Sequence, residues 1–129
     1  MRRNVDELLE ETRRGLQRVS ARQAAALVAG GGILVDTRPS ELRERDGVVP
    51  GAWVVDRNQL EWRLDPSSPH RHEGVDETLY ERPVVLFCDE GYASSFAAAS
   101  VRALGLRGAT DLDGGFQAWA AAGLPVERP

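Results

Sequence analysis

The sequence predicts an α/β fold in three layers, a mainly parallel sheet of about five strands with helices on both faces. Three observations predict it. Short apolar runs at 33–36, 84–87 and 109–112 alternate with stretches of helical spacing. The run Val84-Val85-Leu86-Phe87 is unbroken and rich in β-branched and aromatic residues, as in a strand buried on both faces. At 129 residues, 42% of them hydrophobic, the chain suits one domain with one core and is too apolar for disorder.

Composition excludes several function classes. Net charge is −4, so no general affinity for nucleic acid or an anionic membrane is implied. All 16 basic residues are Arg, which rules out a Schiff-base lysine. A single Cys excludes an internal disulfide and a cysteine-rich zinc site. Met1-Arg2-Arg3-Asn4-Val5-Asp6-Glu7 is followed by no apolar core, so no signal peptide is expected, and no run is long enough to span a bilayer. A reducing cytoplasm is the expected compartment.

Residues 4–18 form an amphipathic stretch with Val5, Leu8, Leu9 and Leu16 on a narrow stripe, predicting a helix that extends the domain or meets a partner. Ser20 and Gln23 fit a capping box, opening a second helix that Gly30-Gly31-Gly32 stops. Those glycines follow a helix and precede a strand, the reverse of a phosphate-loop order. The strand at 33–36 ends in Asp36 and Arg38, and Pro39 opens a short helix. Trp53-Val54-Val55 is a short strand after a turn, with Trp53 packing or lining a site. Arg57 then lies at the sheet's carboxyl edge, either contacting an anion or pairing with Asp56 or Glu61. Residues 60–64 suit a helical turn, and 65–83 form the longest irregular stretch. His70 and His72 alternate there, but a metal would need two more ligands nearby, and none is found. Residues from Phe96 onward read as a helix, 109–112 as a last strand, and 116–122 as a last helix ended by Gly123.

Cys88 stands where the strand at 84–87 meets a loop holding Gly91 and then a helix. Buried packing is the ordinary role of a free cysteine. Two features favour chemistry. The thiol lies at a strand's carboxyl end, where open α/β sheets place their sites. A turn opening a helix also aims backbone N–H groups into one small space, where they stabilise negative charge.

At this loop the chain resembles the rhodanese (sulfurtransferase) family. Cys88, Gly91 and Ser94 are similar to that family's active-site loop. Leu34-Val35-Asp36-Thr37-Arg38 resembles its early strand ending in Asp-x-Arg, and Val49-Pro50-Gly51-Ala52 its Ile-Pro-Gly-Ala turn. Asp113-Gly114-Gly115-Phe116 with Trp119, Gly123 and Pro125 resembles its closing segment. The motifs span about 19–127, dividing the chain into an N-terminal helical extension, 1–18, and a rhodanese-like domain, 19–129.

The resemblance implies sulfane-sulfur transfer through a Cys88 persulfide. The donor is thiosulfate, a persulfide or a thiosulfonate, and the acceptor is cyanide, a thiol or a protein thiol, with a protein persulfide as a further partner. No cofactor is required. Backbone N–H groups from Asp89, Glu90, Gly91, Tyr92, Ala93 and Ser94 surround the sulfur, Arg57 meets an anionic donor, and Asp36 and Arg38 brace the loops. One departure matters: many single-domain members carry Arg in the position of Ala93. Asp89 and Glu90 add negative charge instead, each opposing an anion at ~6 Å by roughly 1 to 3 kcal/mol. Poor activity with thiosulfate is therefore expected. Related phosphatases need Arg where Ser94 stands. The rival reading is a non-catalytic binding or regulatory module, or a redox sensor whose disulfide partner lies in another molecule.

Overall fold

The computed structural model describes residues 1–129. Its sheet contains β1 (Ile33–Asp36), β2 (Trp53–Val54), β3 (Val84–Phe87) and β4 (Ala109–Asp111) in the order β2-β1-β3-β4, every pairing parallel. The sheet is thus four-stranded, against an expectation of about five. Beyond β4 only Val19 pairs, in a single parallel bridge to Leu112. The reason is local: Gly15 caps the helix before Val19, and Ser20 is already the N-cap of the helix after it. Too little extended chain remains for a ladder.

Two cores cover the two faces. The β3 side chains alternate between them: Val84 and Leu86 pack with Leu60, Ala97 and Val101, while Val85 and Phe87 pack with Ala24, Leu112, Phe116 and Trp119. None of the four β3 residues is more than 1% exposed. Burying each stabilises the fold by about 1.5–3 kcal/mol, so β3 anchors both layers. The first core lies under α4 (Leu60–Leu64) and α5 (Ala93–Arg102), the second under α2 (Ala21–Ala29) and α6 (Gly115–Ala121). A short α3 (Ser40–Asp46) follows β1, and α1 (Val5–Arg14) packs on α5.

The capping box of α2 forms as its sequence predicts: Gln23 N–H donates to Ser20 Oγ (3.2 Å) and Ser20 N–H to Gln23 Oε1 (2.8 Å). Two boundaries differ. The first helix stops at Arg14, because Gly15 ends it and Leu16 turns inward to become buried. The Cys88 helix begins at Ala93 and not at Phe96. Serines near a helix start compete for backbone groups, but here Ser94 and Ser95 both donate to the buried Asp111 carboxylate instead (2.8 and 2.9 Å). Their backbone is left free to be helical.

The irregular stretch 65–83 is well packed. Val75 and Leu79 are buried in the first core, and His72 stacks on Trp53 with centroids 4.6 Å apart. Trp53 therefore packs and does not line the cysteine's cleft. No helix is long and apolar enough to cross a membrane.

Candidate active site

The chain leaves β1 toward β2 on one side and returns to β3 on the other. The carboxyl ends of β1 and β3 therefore part around a crevice, the usual ligand position in such sheets. Asp36 is in register with Phe87, so the residues after each strand face one another. A cleft of about 300 Å³ opens there, walled by Thr37, Arg38, Pro39 and Leu42, by Arg57, and by Cys88, Asp89, Glu90, Tyr92 and Ala93.

Three carbonyls of the loop, those of Cys88, Asp89 and Gly91, are turned outward. Phe116 N–H donates to Cys88 O (2.9 Å) and Gln117 N–H to Asp89 O (3.1 Å). Gly91 O accepts from two guanidinium groups, those of Arg13 and Arg18, each at 2.8 Å. All peptides are trans, so each N–H points opposite to its carbonyl and the amides turn inward. Gly91 N–H donates to Cys88 Sγ at 3.2 Å. The N–H groups of Asp89, Glu90, Tyr92, Ala93 and Ser94 donate to no protein acceptor. They remain available to a charged sulfur held at Cys88, which is partly exposed.

Close approach to α6 requires the Gly114-Gly115 pair. A Cβ on Gly115 would lie 2.6 Å from Cys88 O, and φ there is +61°. Asp36 and Arg38 form the opposite wall's frame. Arg38 Nη2 donates to Asp36 Oδ2 and to Gly47 O, both at 2.9 Å, and its guanidinium lies 3.8 Å over the Phe116 ring. Both residues are buried, which fits a bracing role. Thr37 Oγ1–H donates to Phe87 O (2.9 Å), tying the two strand ends together.

The structure shows the ion-pair reading of Arg57. It pairs with Glu61 (3.1 Å) and still lines the cleft. The carboxylates of Asp89 and Glu90 differ. Asp89 accepts from Gln117 Nε2 (3.0 Å) and faces Arg45 at 4.0 Å, whereas Glu90 is exposed and forms no ion pair. Ser94 faces away from the cleft toward Asp111, so only its backbone N–H is available to a ligand.

Sequence reasoning missed four residues that hold the loop: Arg13, Arg18, Ser95 and Asp111. Arg18 Nε and Nη2 donate to fully buried Asp111 (3.0 and 3.1 Å), and Nη1 donates to Asp113 (3.1 Å). Burial opposes the Arg18 charge most strongly, but the bonds and attraction from Asp111 and Asp113 outweigh it and raise the pKa above the ordinary value. Arg13 Nε donates to Ser95 Oγ (3.0 Å). Only Asp111 left a sequence signal, as a carboxylate in a short buried strand that must find a partner.

The rhodanese-like domain family matches residues 20–122. Thiosulfate sulfurtransferase GlpE of Ectopseudomonas mendocina is 28% identical over 105 residues, covering 81% of this chain and 85% of that protein. Thiosulfate sulfurtransferase YnjE of Escherichia coli is 33% identical over 90 residues, covering 62% of this chain but only 20% of that protein. Among solved structures, one from Rhodopseudomonas palustris, described as a protein of unknown function and possible tyrosine phosphatase, is 32% identical. It superposes with a TM-score of 0.85 over 98% of this chain and 96% of that one.

Proposed function

Because this chain belongs to the rhodanese-like domain family, we propose that it is a sulfurtransferase carrying sulfane sulfur on Cys88. One observation supports this above the others: the Cys88 sulfur sits at the sheet's switch point, where the Gly91 N–H donates to it and the other loop amides have no protein acceptor. In this reading the Cys88 thiolate attacks the outer sulfur of a donor. The donor's S–S bond breaks, and its electron pair leaves with sulfite or a thiolate. Cys88 becomes a persulfide whose terminal charge is met by the amides of Asp89 to Ser94. An acceptor thiolate or cyanide then attacks the terminal sulfur, and the Cys88 thiolate returns. Residues 19–129 are the working domain, 1–18 an extension of it, and a reducing compartment such as the cytoplasm suits the thiol.

The donor we favour is a thiol persulfide, low-molecular-weight or protein-bound. Exposed Glu90 stands at the mouth without a counter-ion and opposes a dianion. Arg57 is already shared with Glu61, which lessens its pull on thiosulfate.

Intact mass after incubation with thiosulfate or with glutathione persulfide tests the proposal. We expect one added sulfur on Cys88 from the persulfide, lost on adding cyanide or thiol, and absent in Cys88→Ser. No added sulfur from either donor would sink the enzyme reading and favour a binding or redox-sensing module. Phosphate-ester hydrolysis, suggested for the Rhodopseudomonas protein, is poorly served here. A guanidinium is needed at position 94, and Ser94 is bonded to Asp111.

A further inference from the structure

We infer that Arg13 is a positioning residue for the Cys88 loop, so that α1 supplies the cation the loop itself lacks. The inference extends the sulfurtransferase reading, since it concerns how the same site tolerates negative charge on sulfur.

Position 93, at the start of α5 and on the cleft wall, carries only the methyl group of Ala93. The loop contributes Asp89 and Glu90 and no basic residue. Two arginines approach it from outside, both through Gly91 O. They are not equivalent. Arg18 bonds Asp111 and Asp113, so its charge is largely matched. Arg13 bonds a carbonyl and a hydroxyl, Gly91 O and Ser95 Oγ, with no carboxylate among its partners. Its guanidinium also stands 5.8 Å from the centre of the Tyr92 ring. Its charge is therefore felt by the loop.

The effect runs through the peptide after Gly91, adjacent to the Gly91 N–H that donates to Cys88 Sγ. A cation on Gly91 O strengthens the dipole of the Gly91–Tyr92 peptide, and the Tyr92 N–H points the opposite way, to the loop's inner side. Arg13 can hold this place because α1 is well fixed. Leu9 and Leu16 are buried, an Asn4–Glu7 capping box starts the helix, and Arg13 sits in the last turn, where a cation suits the helix dipole. The residue lies outside the stretch 20–122 that defines the family match.

Alkylation of Cys88 in the full chain, by neutral iodoacetamide and by anionic iodoacetate, tests this without requiring turnover. The ratio of the two rates reports the potential at the sulfur. A change in thiol access alone would move both rates together. Arg13→Gln should lower the iodoacetate-to-iodoacetamide ratio about five-fold at low salt, the effect of one unit charge within a Debye length at a surface-like dielectric. Arg13→Lys should keep the ratio within about two-fold of wild type, since the charge stays. Arg14→Gln, which removes an equal charge from the exposed side of the helix turn, should change it far less. Arg13→Met carries the same expectation as Arg13→Gln should the latter fail to fold. An unchanged ratio in Arg13→Gln, or an equal fall in Arg14→Gln, would overturn the inference. Failure of wild-type sulfur loading, measured separately by mass, would overturn the sulfurtransferase reading and leave this ratio interpretable.

Discussion

At Gly91 the backbone runs at φ +91°, and a Cβ there would stand 2.6 Å from Gly114 N. The left-handed conformation alone costs a non-glycine residue roughly 1–3 kcal/mol, and the close approach leaves no room to relax. Gly91→Ala should therefore lower the urea midpoint and slow sulfur loading of Cys88 by about a hundred-fold or more, the size of one lost oxyanion-hole-type donor. Wild-type loading with a lowered midpoint would show that Gly91 serves the fold only. Cys88 and Gly91 stood out in the sequence through the strand–loop–helix pattern and Asp36 and Arg38 through the family resemblance, and the contacts they make are short in sequence. Arg38 reaches Asp36 across two positions, and Gly91 reaches Cys88 across three. Arg13 and Arg18 were not legible as loop supports. They reach Gly91 across 78 and 73 positions, and amphipathic spacing marks only which side of a helix is apolar.

Elements with a strong local signal, such as β3 and the capped α2, stand where the sequence put them. The start of α5 depended on a tertiary partner, Asp111 for the two serines, and the missing fifth strand on how closely the helix caps at Gly15 and Ser20 flank Val19. The stretch 65–83, featureless in sequence, is pinned by the His72–Trp53 stack. Burial, then the charge of Arg63, lowers the His72 pKa from its ordinary value near 6.5, against a smaller opposite effect from Glu73. The unfolded chain thus takes up this proton at a higher pH than the folded one, and stability falls as pH drops below about 6.5. His72→Phe keeps the stack and removes the titration. The melting temperature of wild type should fall more between neutral and mildly acidic pH than that of the variant. Parallel pH profiles would show that His72 carries none of the dependence.

For the whole molecule, the net charge of −4 and exposed Glu90 set the field met by an approaching donor. Thiosulfate loading should rise about two-fold as salt goes from about 0.01 M to about 0.15 M, where the Debye length contracts from about 30 Å to about 8 Å. A fall in rate would mean that Arg13, Arg57 and the amides dominate over the surface charge. The loop's architecture also bears on how the chain is made. Its outward carbonyls are held by Arg13, by Arg18 and by the N–H groups of Phe116 and Gln117. Synthesis runs from the amino end, so Cys88 emerges with the two arginines already present but before α6 exists. A nascent chain ending short of residue 117 carries the thiol without its finished cradle. The loop is complete only as the last part of the domain is translated.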